Sequence, residues 1–113
     1  MKKVLLFVVS IAVTAAFSFV SPAFAADTAN GAKLFASNCG ACHAGGGNVV
    51  LSVKNLSADA MEKYLVGYSE DHEGSIAYQI AHGKGSMPAF GRLKEEQIND
   101  IAAYVEEKAQ TGW

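Results

Sequence analysis

Cys39 and Cys42 are the only two cysteines of the chain. Gly40 and Ala41 separate them, and His43 follows directly. On a helical turn, side chains three apart share one face, so both thiols can reach neighbouring carbons along one edge of a flat ring. An imidazole on the next residue can then bind a metal held in that ring. This spacing is the attachment signature of c-type haem: two thioethers to the vinyl groups of one porphyrin edge, with His43 on the iron from one side. Three other readings use the same residues: a structural disulfide, a dithiol redox switch, or half of a zinc site. Zinc wants a second pair of ligands at finger-like spacing, and the remaining histidines, His72 and His82, lie ten apart. A thioredoxin-like switch wants a strand leading into the motif, and no strand pattern precedes Cys39.

Histidine-bound iron leaves a second face to be settled. Met87 lies 44 residues after His43, within Gly83-Lys84-Gly85-Ser86-Met87-Pro88-Ala89-Phe90-Gly91. Pro88 biases Met87 toward an extended backbone, and the glycines let the chain pass close to a flat ligand. A thioether is a soft, neutral ligand, and His/Met ligation raises a haem reduction potential. Met61 falls on a helical apolar stripe, where methionine fills core space. His82 falls at a helix end and His72 in an acidic loop. With His43 and Met87 both bound, no coordination position is left for a substrate, which argues for electron transfer and against an enzyme. A vacant second face would argue for a small peroxidase or a gas sensor instead. A thiol protein without haem is the third class.

The elements that must hold these residues come from a 113-residue chain, enough for one small domain. Residues 1–25 carry an export pattern: Lys2 and Lys3, an apolar run over 4–20, Pro22, and the small-x-small site Ala23-Phe24-Ala25. An uncleaved membrane anchor is the competing reading of a run this long. Cleavage after Ala25 leaves residues 26–113 as the domain, 88 residues in which seven basic side chains face eleven acidic ones, a net charge of −4. That balance argues against nucleic acid and anionic membrane as partners and suits a partner with a positive patch. A domain this small builds a thin core. Exported domains often compensate with disulfides, but here the only cysteine pair is taken by the motif, so a buried haem would supply the missing apolar mass.

Within 26–113 the pattern is all-α. Residues 27–42 read as one helix capped by Asp27 or Thr28, with Gly31 inside it at a cost of about 1 kcal/mol relative to alanine; close approach of another helix would compensate. Residues 44–48 are too rich in glycine for regular structure. The run 49–53 has no strand partner and reads as an extended loop laying apolar side chains on the haem edge. Further helices are expected over 58–66 with Ser57 as cap, over 74–82 with Gly83 as stop, and over 95–109. In the last, Ile98, Ile101, Ala102, Val105 and Ala109 face inward, and acids fill the first turn, where the helix dipole favours them.

With those residues placed, the chain resembles a class I cytochrome c, and most closely the soluble photosynthetic cytochrome c-six, the carrier that can replace plastocyanin. The resemblance runs through Gly31-Ala32-Lys33-Leu34-Phe35, the haem motif, Gly45-Gly46-Gly47-Asn48-Val49, Lys63-Tyr64-Leu65, Ala77-Tyr78-Gln79-Ile80, the Met87 loop and Ala102-Ala103-Tyr104-Val105. It implies a class I cytochrome c fold of about four helices around one covalently attached haem, with His43 and Met87 as axial ligands. It implies that Gly31 and Phe35 meet Ile101 and Tyr104 where the first and last helices cross. It also implies that Gln79 lies near the haem and keeps the potential high, and that Arg92 helps docking. The function implied is a one-electron shuttle from the cytochrome b-f complex to photosystem I in the thylakoid lumen, with a terminal oxidase as a further acceptor. A periplasmic carrier serving a respiratory oxidase or another redox enzyme is the alternative. Where such chains often cap the last helix with serine, this one has Lys94.

Overall fold

A computed structural model describes residues 25–113; all but the last residue of the export segment expected over 1–25 lies outside the described residues. Among the described residues five α-helices follow in order: α1 (Thr28–Asn38), α2 (Gly40–His43), α3 (Ala58–Tyr64), α4 (His72–His82) and α5 (Glu95–Thr111), with one 3-10 turn at Ala44–Gly46 after α2. Among the described residues the only β pairing is an isolated bridge between Lys84 and Met87, so the all-α expectation holds. Among the same residues no helix is long and apolar enough to cross a membrane.

The helix expected over 27–42 is two helices. Cys39 leaves regular helical geometry at φ −118°, ψ −24°, ending α1 and starting α2. Its own N–H still donates to the Phe35 carbonyl at 2.8 Å, and its carbonyl accepts from the N–H of His43 at 2.9 Å. The backbone bonds therefore continue across the break at Cys39. The other ends shift by a few residues. Helix α3 stops at Tyr64, α4 starts at His72, and α5 runs on to Thr111.

Each start has a local cause. The side chains of Asp27, Ser57 and Asp71 accept the N–H groups of Asn30, Ala60 and Gly74 respectively, closing one orphan donor per helix. Lys94 offers no acceptor, but Gln97 Oε1 reaches back to its N–H at 3.0 Å, the reciprocal half of a capping box. Glu95 and Glu96 occupy the first turn of α5, where negative charge is favoured.

Helix α5 is the central element, with α1 and α4 packed against it. It buries Ile98, Ile101, Ala102 and Val105; Phe35 from α1, Met61 from α3, and Ile76 and Ile80 from α4 complete the core, while Ala109 is half-buried against it. Gly31 lies at the crossing of α1 and α5. A Cβ there would sit 2.0 Å from the Asp100 carbonyl oxygen and 2.9 Å from Tyr104 Cβ, so the close approach expected from the sequence is backbone against backbone. Phe35 meets Tyr104 at a 5.3 Å ring separation. Beside the crossing, Asp100 is 5% exposed. Its carboxylate accepts from the Asp27 N–H at 2.8 Å and from Asn30 Nδ2 at 2.9 Å, which satisfies a buried charge and ties the start of α1 to α5.

Gly31→Ala is expected to cost about 1–3 kcal/mol or more, because neither backbone can yield without separating the helices. Gly40→Ala, whose Cβ would meet only the Phe35 carbonyl oxygen at 3.8 Å, should leave stability nearly unchanged. Denaturant unfolding of the two variants checks the difference.

Candidate functional site

Phe35 and Asn38 of α1, Ala41, Cys42 and His43 of α2, one face of α3, the inner face of α4 and the 84–88 turn surround a cavity of about 480 Å³, within the range of small-molecule and cofactor sites. Cys39, Cys42, His43, Met61, Gln79 and Met87 all line it. The two thiols and the imidazole of the Cys39–His43 turn thus share one mostly apolar space with two thioethers, Met61 and Met87, from distant parts of the chain. Its floor is core, built from Phe35, Ile76, Ile80, Ile101 and Val105, and its mouth includes the exposed residues Cys42, Val50, Leu51 and Pro88. A large flat apolar group with one edge toward solvent fits such a wall.

The geometry of each donor follows from its local chain. The two cysteines are unbridged, Cys39 buried and Cys42 exposed. Burial pushes the Cys39 thiol up to about 11, away from the thiolate that a dithiol switch would need. The His43 ring places Nδ1 2.8 Å from the Gly47 carbonyl oxygen. A carbonyl can only accept, so Nδ1 carries the proton and Nε2 keeps its lone pair for a metal. That outer hydrogen bond is the usual device for fixing a ligating imidazole.

Met87 comes from a tight turn. Lys84 and Met87 exchange both backbone hydrogen bonds at 3.0 Å, and the Phe90 N–H is tied to the Ile80 carbonyl at 2.9 Å. Gly83 stops α4 at φ +67°, where a Cβ would lie 2.5 Å from the Met87 carbonyl oxygen. Only glycine fits there. Gln79 Nε2 on α4 donates to Met87 Sδ at 3.8 Å, so both residues singled out in the sequence are in contact.

The other candidates fall elsewhere. His82 Nδ1 donates to the Tyr78 carbonyl at 2.9 Å on an exposed ring, and His72 Nδ1 meets Glu106 Oε1 at 2.7 Å; neither lines the cavity. Arg92 is exposed and outside the cavity wall. Among the described residues no three His, Cys, Asp or Glu side chains gather as a metal site would require. Met61, read as core filler, is buried at 4% exposure but also faces the cavity; helical periodicity tells that a residue points inward, not what it meets there. The 49–53 run is only partly as expected. Val50 and Leu51 reach the cavity, whereas Val49 and Val53 do not and are 72% and 59% exposed. Asn48 organises this loop, its Oδ1 accepting from the N–H groups of Val50 and Leu51 and its Nδ2 donating to the Lys54 carbonyl. Trp113, not singled out in the sequence, donates from Nε1 to the Leu56 carbonyl at 2.9 Å.

A helical domain built round such a cavity has the architecture of a class I c-type cytochrome, and comparison with known proteins agrees. The family model described as "Cytochrome C oxidase, cbb3-type, subunit III" matches residues 26–105. Cytochrome c6 of Thermosynechococcus vestitus is 53% identical over 114 residues, spanning 100% of this chain and 98% of that relative. Cytochrome c6 of Synechococcus elongatus is 57% identical over 89 residues, 78% of this chain and 98% of its own length. The solved structure of cytochrome c6 from the diatom Phaeodactylum tricornutum superposes with a TM-score of 0.74 at 46% identity, covering 77% of this chain and 99% of that one. The chain belongs to the cytochrome c6 family. Its cofactor is accordingly one covalently bound haem c, and its work is that of an electron carrier.

Proposed function

We propose that this protein carries single electrons from the cytochrome b-f complex to photosystem I, in the thylakoid lumen or a periplasmic space, after cleavage behind Ala25. The observation that carries the reading is the convergence of Cys39, Cys42, His43 and Met87 on one apolar cavity. A bound haem c would supply one iron able to take up and give back a single electron. Cys39 and Cys42 would hold the ring by thioethers, and His43 Nε2 on α2 and Met87 Sδ in the 84–88 turn would be the iron ligands. With both ligands provided by the chain, the site offers no place to a substrate. The two ligand segments are braced by the His43–Gly47 and Lys84–Met87 hydrogen bonds, so little has to move when the charge at the site changes, and the barrier to transfer stays low. Gln79 points a donor at the methionine sulfur, drawing electron density from it and favouring the reduced state. Cleavage is supported by the Synechococcus elongatus relative, nearly all of whose length is matched by 78% of this chain.

Charge supports a short-lived contact at the cavity mouth. Although the processed chain carries −4, no carboxylate lines the cavity, while Lys54 and Lys84 do. Arg92 lies two residues past Phe90, itself part of the wall. A small apolar patch with a cationic rim forms the weak interface typical of redox partners, its charges acting mainly on the rate of encounter. The description of the matched family model favours a second reading, delivery to a respiratory terminal oxidase.

In the purified holoprotein, Met87→Ala should abolish the weak red-edge ferric band that reports sulfur–iron bonding and open the ferrous form to carbon monoxide. Met61→Leu, close in volume, should do neither; a band that survives Met87→Ala removes Met87 as ligand. Gln79→Leu is expected to lower the midpoint potential by tens of millivolts while keeping that band, since one hydrogen bond is worth about 1 kcal/mol; titration of the visible spectrum decides. Flash-oxidised photosystem I should be re-reduced quickly by the protein. Arg92→Glu should slow this severalfold at low ionic strength and match the parent near 1 M salt, where screening acts within about 3 Å. Failure of the parent at every salt concentration, with rapid oxidation by a terminal oxidase, would favour the second reading.

A further inference from the structure

The C-terminal residue reaches across the molecule to the loop behind His43. Gly112 ends α5 at φ +106°, a conformation that favours glycine, with its N–H on the Lys108 carbonyl at 2.8 Å. This turn folds Trp113 back against Phe35, at a ring separation of 5.3 Å, and edge-on to Tyr104 at 5.9 Å. The indole lies directly on Gly46. A Cβ at that residue would fall 2.4 Å from both Cγ and Cδ2 of Trp113, and its φ of +77° also calls for glycine. From this position Nε1 donates to the Leu56 carbonyl at 2.9 Å, while the Leu56 N–H donates to the Gly46 carbonyl at 2.7 Å. Gly46 is thus gripped twice, by the indole face and by the segment the indole itself holds. The next residue, Gly47, presents the carbonyl that accepts from His43 Nδ1 at 2.8 Å.

We propose that Trp113 is a positioning residue for His43: by clasping Gly46 and Leu56 it holds the Gly47 carbonyl in place, and that carbonyl sets the orientation and donor strength of the imidazole. The proposal rests on His43 being the ligand named above. A glycine-rich turn has little stiffness of its own, and an outer hydrogen bond tunes a ligand only if its acceptor is held still. Residues 45–47 are three glycines with no side chains to pack, and a Cβ on Gly45 would meet nothing within 4 Å while one on Gly46 would meet the indole, so the aromatic residue 67 positions away stiffens the turn. Phe35 and Leu56, both touched by the indole, also line the cavity, so the clasp supports its wall as well.

The test uses the holoprotein followed by nuclear magnetic resonance, hydrogen exchange and redox titration. In the unsubstituted protein the Trp113 indole proton should exchange as slowly as the Leu56 amide; a freely exchanging indole proton overturns the clasp without any variant. Trp113→Phe keeps a ring on Gly46 and removes the donor. It should speed exchange of the Leu56 amide and of the His43 Nδ1 proton about tenfold, the scale of one lost hydrogen bond, and displace the His43 ring resonances and the midpoint potential. Ile98→Val, a core change outside the cavity wall, supplies a protein of lowered stability for comparison. It should lower the melting temperature and leave the His43 signals unmoved. If Trp113→Phe behaves like Ile98→Val, the indole only fills space and the proposal fails. If instead the parent shows an unligated His43, the functional reading fails, and the resonances of that imidazole separate the two cases.

Discussion

Helices α1 and α5 approach as closely as they do because residue 31 has no side chain. The Asp100 carbonyl occupies the volume a Cβ would need, so the two axes are held at a spacing that backbone atoms set. The walls that α1 and α5 give the cavity are referenced to that spacing. Phe35 on α1 and Cys39 at its end follow one and two turns beyond Gly31, and Ile101 and Val105 follow Asp100 on α5. Widening the crossing would carry the thiol-bearing turn away from the wall formed by Ile101 and Val105. The buried Asp100 carboxylate makes the arrangement more exacting. It is satisfied only while Asp27 and Asn30 stay within hydrogen-bond range, and a buried charge left unpaired is costly. A polar contact thereby fixes the register of two helices whose apolar faces alone would tolerate sliding.

The far side of α5 is tied down by a different network. Tyr68, 1% exposed, donates its hydroxyl to Glu106 Oε2 at 2.6 Å, while the other oxygen of that carboxylate meets His72 Nδ1 at 2.7 Å and Gln110 Nε2 at 2.8 Å. The Tyr68 and His72 rings stack at 4.0 Å. Burial first, and then the hydrogen bond to Glu106, push the Tyr68 phenol above its ordinary range, so the hydroxyl stays a donor throughout physiological pH. The connection between α3 and α4 is thus attached to α5 through one carboxylate. Since α4 carries Gln79 and ends at the Gly83 stop, this attachment also fixes where the Met87 turn begins. The Cys39–His43 turn and the Met87 turn are therefore both referenced to α5, one through Gly31 and Asp100 and the other through Glu106.

How much of this was legible in the sequence follows from the range of each interaction. Cys39, Cys42 and His43 could be read because their geometry is set within five consecutive residues. Met87 could be read because Pro88 and the flanking glycines restrict the backbone locally. The helix caps at Asp27, Ser57 and Asp71 are local as well. The break at Cys39 was not legible. Gly31 and Gly40 are equally poor helix formers, yet α1 runs through the first and ends at Asn38, just before the second, so propensity alone did not mark the break. Val49 and Val53 misled for the opposite reason: their apolar character was plain, but Asn48 folds the loop by hydrogen bonds to Val50 and Leu51 that direct only part of the run inward. Trp113 carried no local signal, since its partners Phe35, Gly46 and Leu56 lie between 57 and 78 positions upstream.

The distribution of charge links this architecture to its use. A chain with more acids than bases would be expected to present a uniformly negative surface, yet none of its carboxylates lines the cavity. Glu95, Glu96 and Glu107 lie exposed on α5, and Asp71 and Glu73 at the start of α4. Helix starts and a network around one buried carboxylate are where acids stabilise this fold, so placing them there costs the cavity mouth nothing. The mouth is left to apolar side chains and to Lys54 and Lys84, and the ammonium groups of Lys54 and Lys63 lie 5.7 and 5.2 Å from the centre of the Tyr64 ring. A cavity wall without carboxylates but with two lysines gives the mouth a local charge opposite in sign to that of the chain as a whole. Charges at a rim act mainly on the rate of encounter and add little to the strength of the final complex, which suits an electron carrier that must leave its partner quickly.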